Sequence, residues 1–100
     1  MSLEDCRQRL PLGSLWSHLG LASADRVAGV SAGGAEVKIR SPFREDKNPS
    51  FSVWINSDGV GFCKDHGTDD KAYDEVGLIE RQRGVDTKEA IKIYHEMAGV

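Results

Sequence analysis

Cys63-Lys64-Asp65-His66 sets a thiol and an imidazole three positions apart, the spacing of half a tetrahedral zinc site. The residues that would have to complete it, Cys6, His18 or His95, are remote in sequence. Three readings follow: no metal, a site rebuilt from these scattered ligands, or partial metal binding; the metal-free one is preferred, with zinc as the alternative. A second chemistry is suggested by Lys38, Arg40, Arg44, Lys47 and Lys64, five cations that flank Trp54 in an otherwise acidic chain. Cations that follow a phosphate backbone, beside an aromatic face on which a base stacks, are the ingredients of single-strand binding. The sequence offers no P-loop and no Ser/His/Asp or Cys/His arrangement with a defensible geometry. The adjacent carboxylates Glu45-Asp46 and Asp69-Asp70 read as solvated charges of a turn and a helix start, not as a catalytic pair. The chain is therefore expected not to be catalytic on its own.

These residues must be positioned by a small fold. One hundred residues suit a single domain, residues 1–100, with a modest core that a metal, a disulfide or a partner often supports. The apolar fraction of 39% is ordinary for a globular protein, and no run approaches the length of a membrane span, so a cytoplasmic location without membrane contact is expected. In that compartment a disulfide between Cys6 and Cys63 is not anticipated. The net charge of −3 is unevenly spread, at −1 over residues 1–36, +1 over 37–66 and −3 over 67–100. Nucleic-acid binding, if present, is local and weak.

Residues 1–34 read as a helical and loop lead-in: one short helix over 3–10 ending at Pro11, a second over 14–21 capped by Ser14, then a glycine-rich loop. Residues 35–66 read as a three-stranded antiparallel sheet. Apolar and basic residues alternate in Val37-Lys38-Ile39-Arg40, alternation returns over Phe51 to Ile55, and Asn56-Ser57-Asp58-Gly59 is a hairpin turn leading to a strand over 60–64. Residues 67–100 read as a helical pair, over 69–83 with Gly84 as C-cap, then from Asp86 with a buried stripe of Ala90, Ile91, Tyr94 and Met97 up to Gly99. The fold class is α+β. If Val37, Ile39, Phe51, Val53 and Ile55 face the core, then Lys38, Arg40, Ser52 and Trp54 share the other face, with the face of Lys64 left to the register and Arg44 and Lys47 on the connecting loop. The competing possibility is that Trp54 packs beneath the N-terminal helices.

The run Arg40-Ser41-Pro42-Phe43-Arg44-Glu45-Asp46-Lys47-Asn48-Pro49-Ser50-Phe51-Ser52-Val53 resembles the signature of the N-terminal zinc-binding (CHC2-type zinc-ribbon) domain of DNA primases, where a Cys-Pro-x-His knuckle precedes a Lys-x-Pro-Ser-Phe segment. The hairpin, Cys63-Lys64-Asp65-His66-Gly67, Ala72-Tyr73-Asp74 and Met97-Ala98-Gly99-Val100 follow in the family's order. Ser41 and Arg44 occupy the positions of the first two metal ligands, so the chain looks like a degenerate variant. Phe62-Cys63-Lys64-Asp65-His66-Gly67-Thr68 is similar to relatives from phages and plasmids that lack the ligands. In that alignment Cys63 is a packed thiol, His66 bonds the turn, and Phe43, Phe51, Val53 and Phe62 hold the hairpin by packing. The resemblance implies a zinc-ribbon-like DNA-replication module that binds single-stranded DNA template as an accessory part of a larger primase or replisome protein. The partners it implies are a primase catalytic domain or a replicative helicase. The rival reading is a protein-interaction module docking such a partner through the acidic helical third; a third is a domain that needs zinc to fold.

Overall fold

The computed structural model describes residues 2–45, 47–68 and 71–100. Asp46 and the Asp69-Asp70 pair, and with them the expected helix start at 69, lie outside the described residues. The architecture is α+β: short helices α1 (Leu3–Arg9), α2 (Leu12–His18) and α3 (Ala24–Val27), then strands β1 (Val37–Ile39), β2 (Phe51–Ile55), β3 (Gly61–Asp65) and β4 (Tyr73–Asp74), and finally α4 (Glu75–Arg83) and α5 (Thr87–Ala98).

Local chemistry accounts for most boundaries. Ser2 and Asp5 form a capping box at the start of α1, with acids in its first turn and Arg7 and Arg9 in its last. The next helix begins two residues earlier than expected from Ser14. Pro11 takes the N-cap position in an extended conformation, φ −64° and ψ 166°, where its missing amide hydrogen costs no helix bond. The segment after it holds α3, a four-residue turn of helix too short to leave a periodic signal. Asp74 caps α4 by accepting from the Gly77 amide, and Asp86 caps α5 by accepting from the Glu89 amide. Gly84 and Gly99 close these helices at φ 67° and 75°, left-handed values that a β-carbon disfavours.

The sheet is antiparallel throughout in the order β1-β2-β3-β4, one strand more than the sequence pattern shows. The addition, Tyr73-Asp74, has only two residues and pairs with Phe62 and Cys63, so alternation could not reveal it. Asn56 organises the β2–β3 turn: its side-chain oxygen accepts from the amides of Asp58 and Val60, with Gly59 at φ 86°.

One face of the sheet forms the core. Ile39, Phe51, Val53, Ile55 and Cys63 meet Leu12, Leu15 and Trp16 from α2, Val76, Leu78 and Ile79 from α4, and Ala90 and Tyr94 from α5. Trp16 lies 6.0 Å from Phe51 between ring centroids, and a β-carbon on Gly61 would run into Leu12, so α2 sits directly on the sheet. Ala90, Tyr94 and Ala98 form the buried line of α5, with Ile91 and Met97 at its margins. Glu75 is also wholly buried. Its carboxylate accepts from Arg7 Nε at 3.0 and 3.1 Å and from the Gly61 amide at 2.9 Å, joining α1, the hairpin and α4.

Candidate nucleic-acid interface

Strand alternation sends every second side chain of β2 and β3 away from the core. The register places Lys38, Ser52 and Lys64 in one row across three strands, and Trp54 beside Phe62 and Asp74 in the next. Lys38 and Lys64 thus sit two strand spacings apart, about 10 Å in an ordinary sheet. Ser52 between them is fully buried, and its hydroxyl lies 2.9 Å from His66 Nε2. Trp54 and Phe62 stack on one another, with centroids 5.8 Å apart and planes inclined by 25°. Both are half-buried and lie outside the core cluster. The tryptophan in the core is Trp16, on α2 itself, not Trp54, and Phe62, expected in the packing of the hairpin core, faces outward instead. A shallow cleft of about 420 Å³ opens beside this face, lined by Gly34, Glu36, Trp54 and His66.

The candidate residues therefore divide. Lys38, Trp54 and Lys64 come together on the outer face, and Arg40 is exposed just beyond the end of β1. Lys47 is exposed on the β1–β2 loop. Arg44 belongs elsewhere: its guanidinium grips Asp65, whose side chain shares the inward row of Phe51, on the opposite side of the sheet from the lysines. Residue types alone do not mark Phe62 as the partner of Trp54, because that pairing depends on the hairpin register.

The same alternation bears on the metal. Cys63 points into the core, fully buried between Val53 and Tyr73 on the neighbouring strands, and burial pushes its thiol up, disfavouring the thiolate that zinc requires. His66, in contrast, is exposed and bonded to Ser52 on the outer side. The two potential ligands of the Cys-x-x-His spacing are turned to different faces and do not form a knuckle. The remote candidates do not join them. Cys6 Sγ lies 3.3 Å from His95 Nδ1 in the packing of α1 against α5, and His18 is exposed at the end of α2. Ser41, where the resemblance would place a first ligand, accepts a hydrogen bond from the Phe43 amide at 3.2 Å. Phe43, expected to pack, is the one large apolar side chain among the described residues that is substantially exposed, at 38%, although its ring meets Phe51 edge-on. Among the described residues, the candidate ligands do not come together in a way that fits a zinc ion.

No family model, curated protein or solved structure matches the chain. Among the described residues, no helix is long and apolar enough to cross a membrane.

Proposed function

We propose that the outer face of the sheet binds single-stranded nucleic acid, and that the chain is a DNA-replication module of the primase zinc-binding type acting in the cytoplasm beside a separate catalytic domain. The observation that carries this reading is the stacked Trp54–Phe62 pair lying next to the Lys38–Ser52–Lys64 row. Base stacking on an aromatic side chain contributes about 1–3 kcal/mol per base and tolerates any sequence. Lysines one row away are placed to meet the phosphates while the bases lie over the rings. Glu36 and Asp74 near the ends of the aromatic row, and the chain's net charge of −3, keep the attraction local. Affinity is accordingly micromolar or weaker and falls steeply with salt.

The test is a titration with single-stranded oligonucleotides at low salt, following tryptophan fluorescence. Trp16 is fully buried, so a change reports on Trp54. Replacing Trp54 and Lys64 together should abolish the retardation of the oligonucleotide, and replacing Lys64 alone should weaken the fluorescence change. Absence of both signals with the unaltered protein would reject the reading. The acidity of residues 67–100 favours a second role, docking of a helicase or primase catalytic domain through α4 and α5. A pull-down of such a partner that survives nuclease treatment would distinguish it.

A further inference from the structure

Two loops meet at the end of the sheet opposite the β2–β3 turn: the described residues of the β1–β2 loop, 40–45 and 47–50, and the segment after β3, 66–68. Each turns on a side-chain oxygen that accepts the amide two residues further on, Ser41 Oγ from Phe43 at 3.2 Å and Asp65 Oδ1 from Gly67 at 2.9 Å. Arg44 spans the gap between them. Its Nε donates to Asp65 Oδ2 at 3.0 Å and one terminal nitrogen to Oδ1 at 2.8 Å, a two-pronged pairing that fixes direction as well as distance. The same terminal nitrogen reaches Ser50 Oγ at 3.3 Å, and the other reaches the Glu45 carbonyl at 3.3 Å. The Asp65 side chain is only 9% exposed. A β-carbon on Gly67 would run into the guanidinium, so this position leaves room for the arginine to lie across the backbone.

We propose that Arg44 and Asp65 form the cross-link that a metal ion would otherwise supply between these two loops, so that the domain folds without zinc and the loops are held together by this ion pair instead. Arg44 stands at a position where the primase resemblance places a metal ligand. A guanidinium cannot bind a cation, but it offers several fixed donors and a permanent positive charge to the facing loop. The inference goes beyond the nucleic-acid reading, and its test needs no nucleic acid.

The test uses the full chain in three measurements. Metal content and melting with and without a strong chelator come first: the expected result is no stoichiometric zinc and an unmoved Tm. The second is a double-mutant cycle of Arg44→Gln and Asp65→Asn. Each single variant should lower Tm by about 4–8 °C, and the double variant should lie close to either single rather than at twice the loss. Third, high salt should lower the Tm of the unaltered protein more than that of the double variant, because only the former has the pair to screen. If a single variant fails to fold, Arg44→Lys keeps the charge without the fork and should show an intermediate loss. Zinc bound at one per chain with a chelator-sensitive Tm would overturn the proposal, as would additive losses in the cycle.

Discussion

The two ends of β3 are held by the same pairing, arginine with a carboxylate, in different surroundings. At the start of the strand, Glu75 is wholly buried and binds Arg7 together with the Gly61 amide. At its end, Asp65 binds Arg44, whose side chain remains 34% exposed. Burial makes the first pair the more demanding. Desolvation pushes the Glu75 carboxyl above its ordinary value in spite of Arg7 and the Gly61 amide, which act the other way. Removing one member of such a pair leaves a charge stranded in the interior, whereas Arg44, about a third exposed, can turn to water when its partner is lost. One anchor therefore fixes the fold, and the other fixes two loops.

The largest effect expected from this difference is that of Arg7→Leu. It leaves the Glu75 charge uncompensated and should cost about 3–5 kcal/mol in chemical denaturation. A loss below about 1 kcal/mol would erase the contrast between the ends. Gly61→Ala should follow at about 1–3 kcal/mol, because the added methyl collides with Leu12 and moves the amide that Glu75 holds. The Arg44–Asp65 pair ranks third, at about 1 kcal/mol for either single change.

The fourth expectation concerns pH. A carboxyl whose pKa is raised on folding holds its proton more tightly in the folded state. Its contribution is thus present in full below about 4.5 and is lost as pH rises through the higher folded value. Relative to Glu75→Gln, the unaltered protein should gain stability as pH falls from neutrality toward 4.5. A difference in Tm between the two proteins that runs the other way would show that Arg7 outweighs burial. The smallest effect on stability should be that of Lys64→Ala, midway along the outer face, within about 0.5 kcal/mol. Oligonucleotide binding should nevertheless weaken and its salt dependence become shallower.

How much of this was legible in the sequence follows the range of the interactions. The outward set Lys38, Ser52 and Trp54 could be read from alternation, and the Asn56–Gly59 turn, Gly84, Asp86 and Gly99 from local chemistry. These features depend on residues within a few positions of one another. Glu75 could not be recognised as a buried residue, because its partner Arg7 lies 68 positions away and a glutamate at a helix start usually faces water. The partnership of Arg44 with Asp65, 21 positions apart, is of the same kind: the residue types were visible and the pairing was not. Strand β4 escaped because two residues cannot show a period, and because Asp74 also serves as the cap of a helix. For the candidate site, alternation revealed one face of the lattice, while the position of Lys64 and the stacking of Phe62 awaited the register.

Both outer strands of the sheet are very short. β1 has three residues with Lys38 at its centre, and Pro42 follows soon after; β4 has two and passes directly into a helix. A strand edge recruits further chains only if it offers a run of free backbone groups, and a lysine or a proline on it discourages pairing. A sheet bordered in this way has little means of growing by adding strands from other molecules. The protein should accordingly stay dispersed at concentrations where a longer, flatter edge would seed fibres.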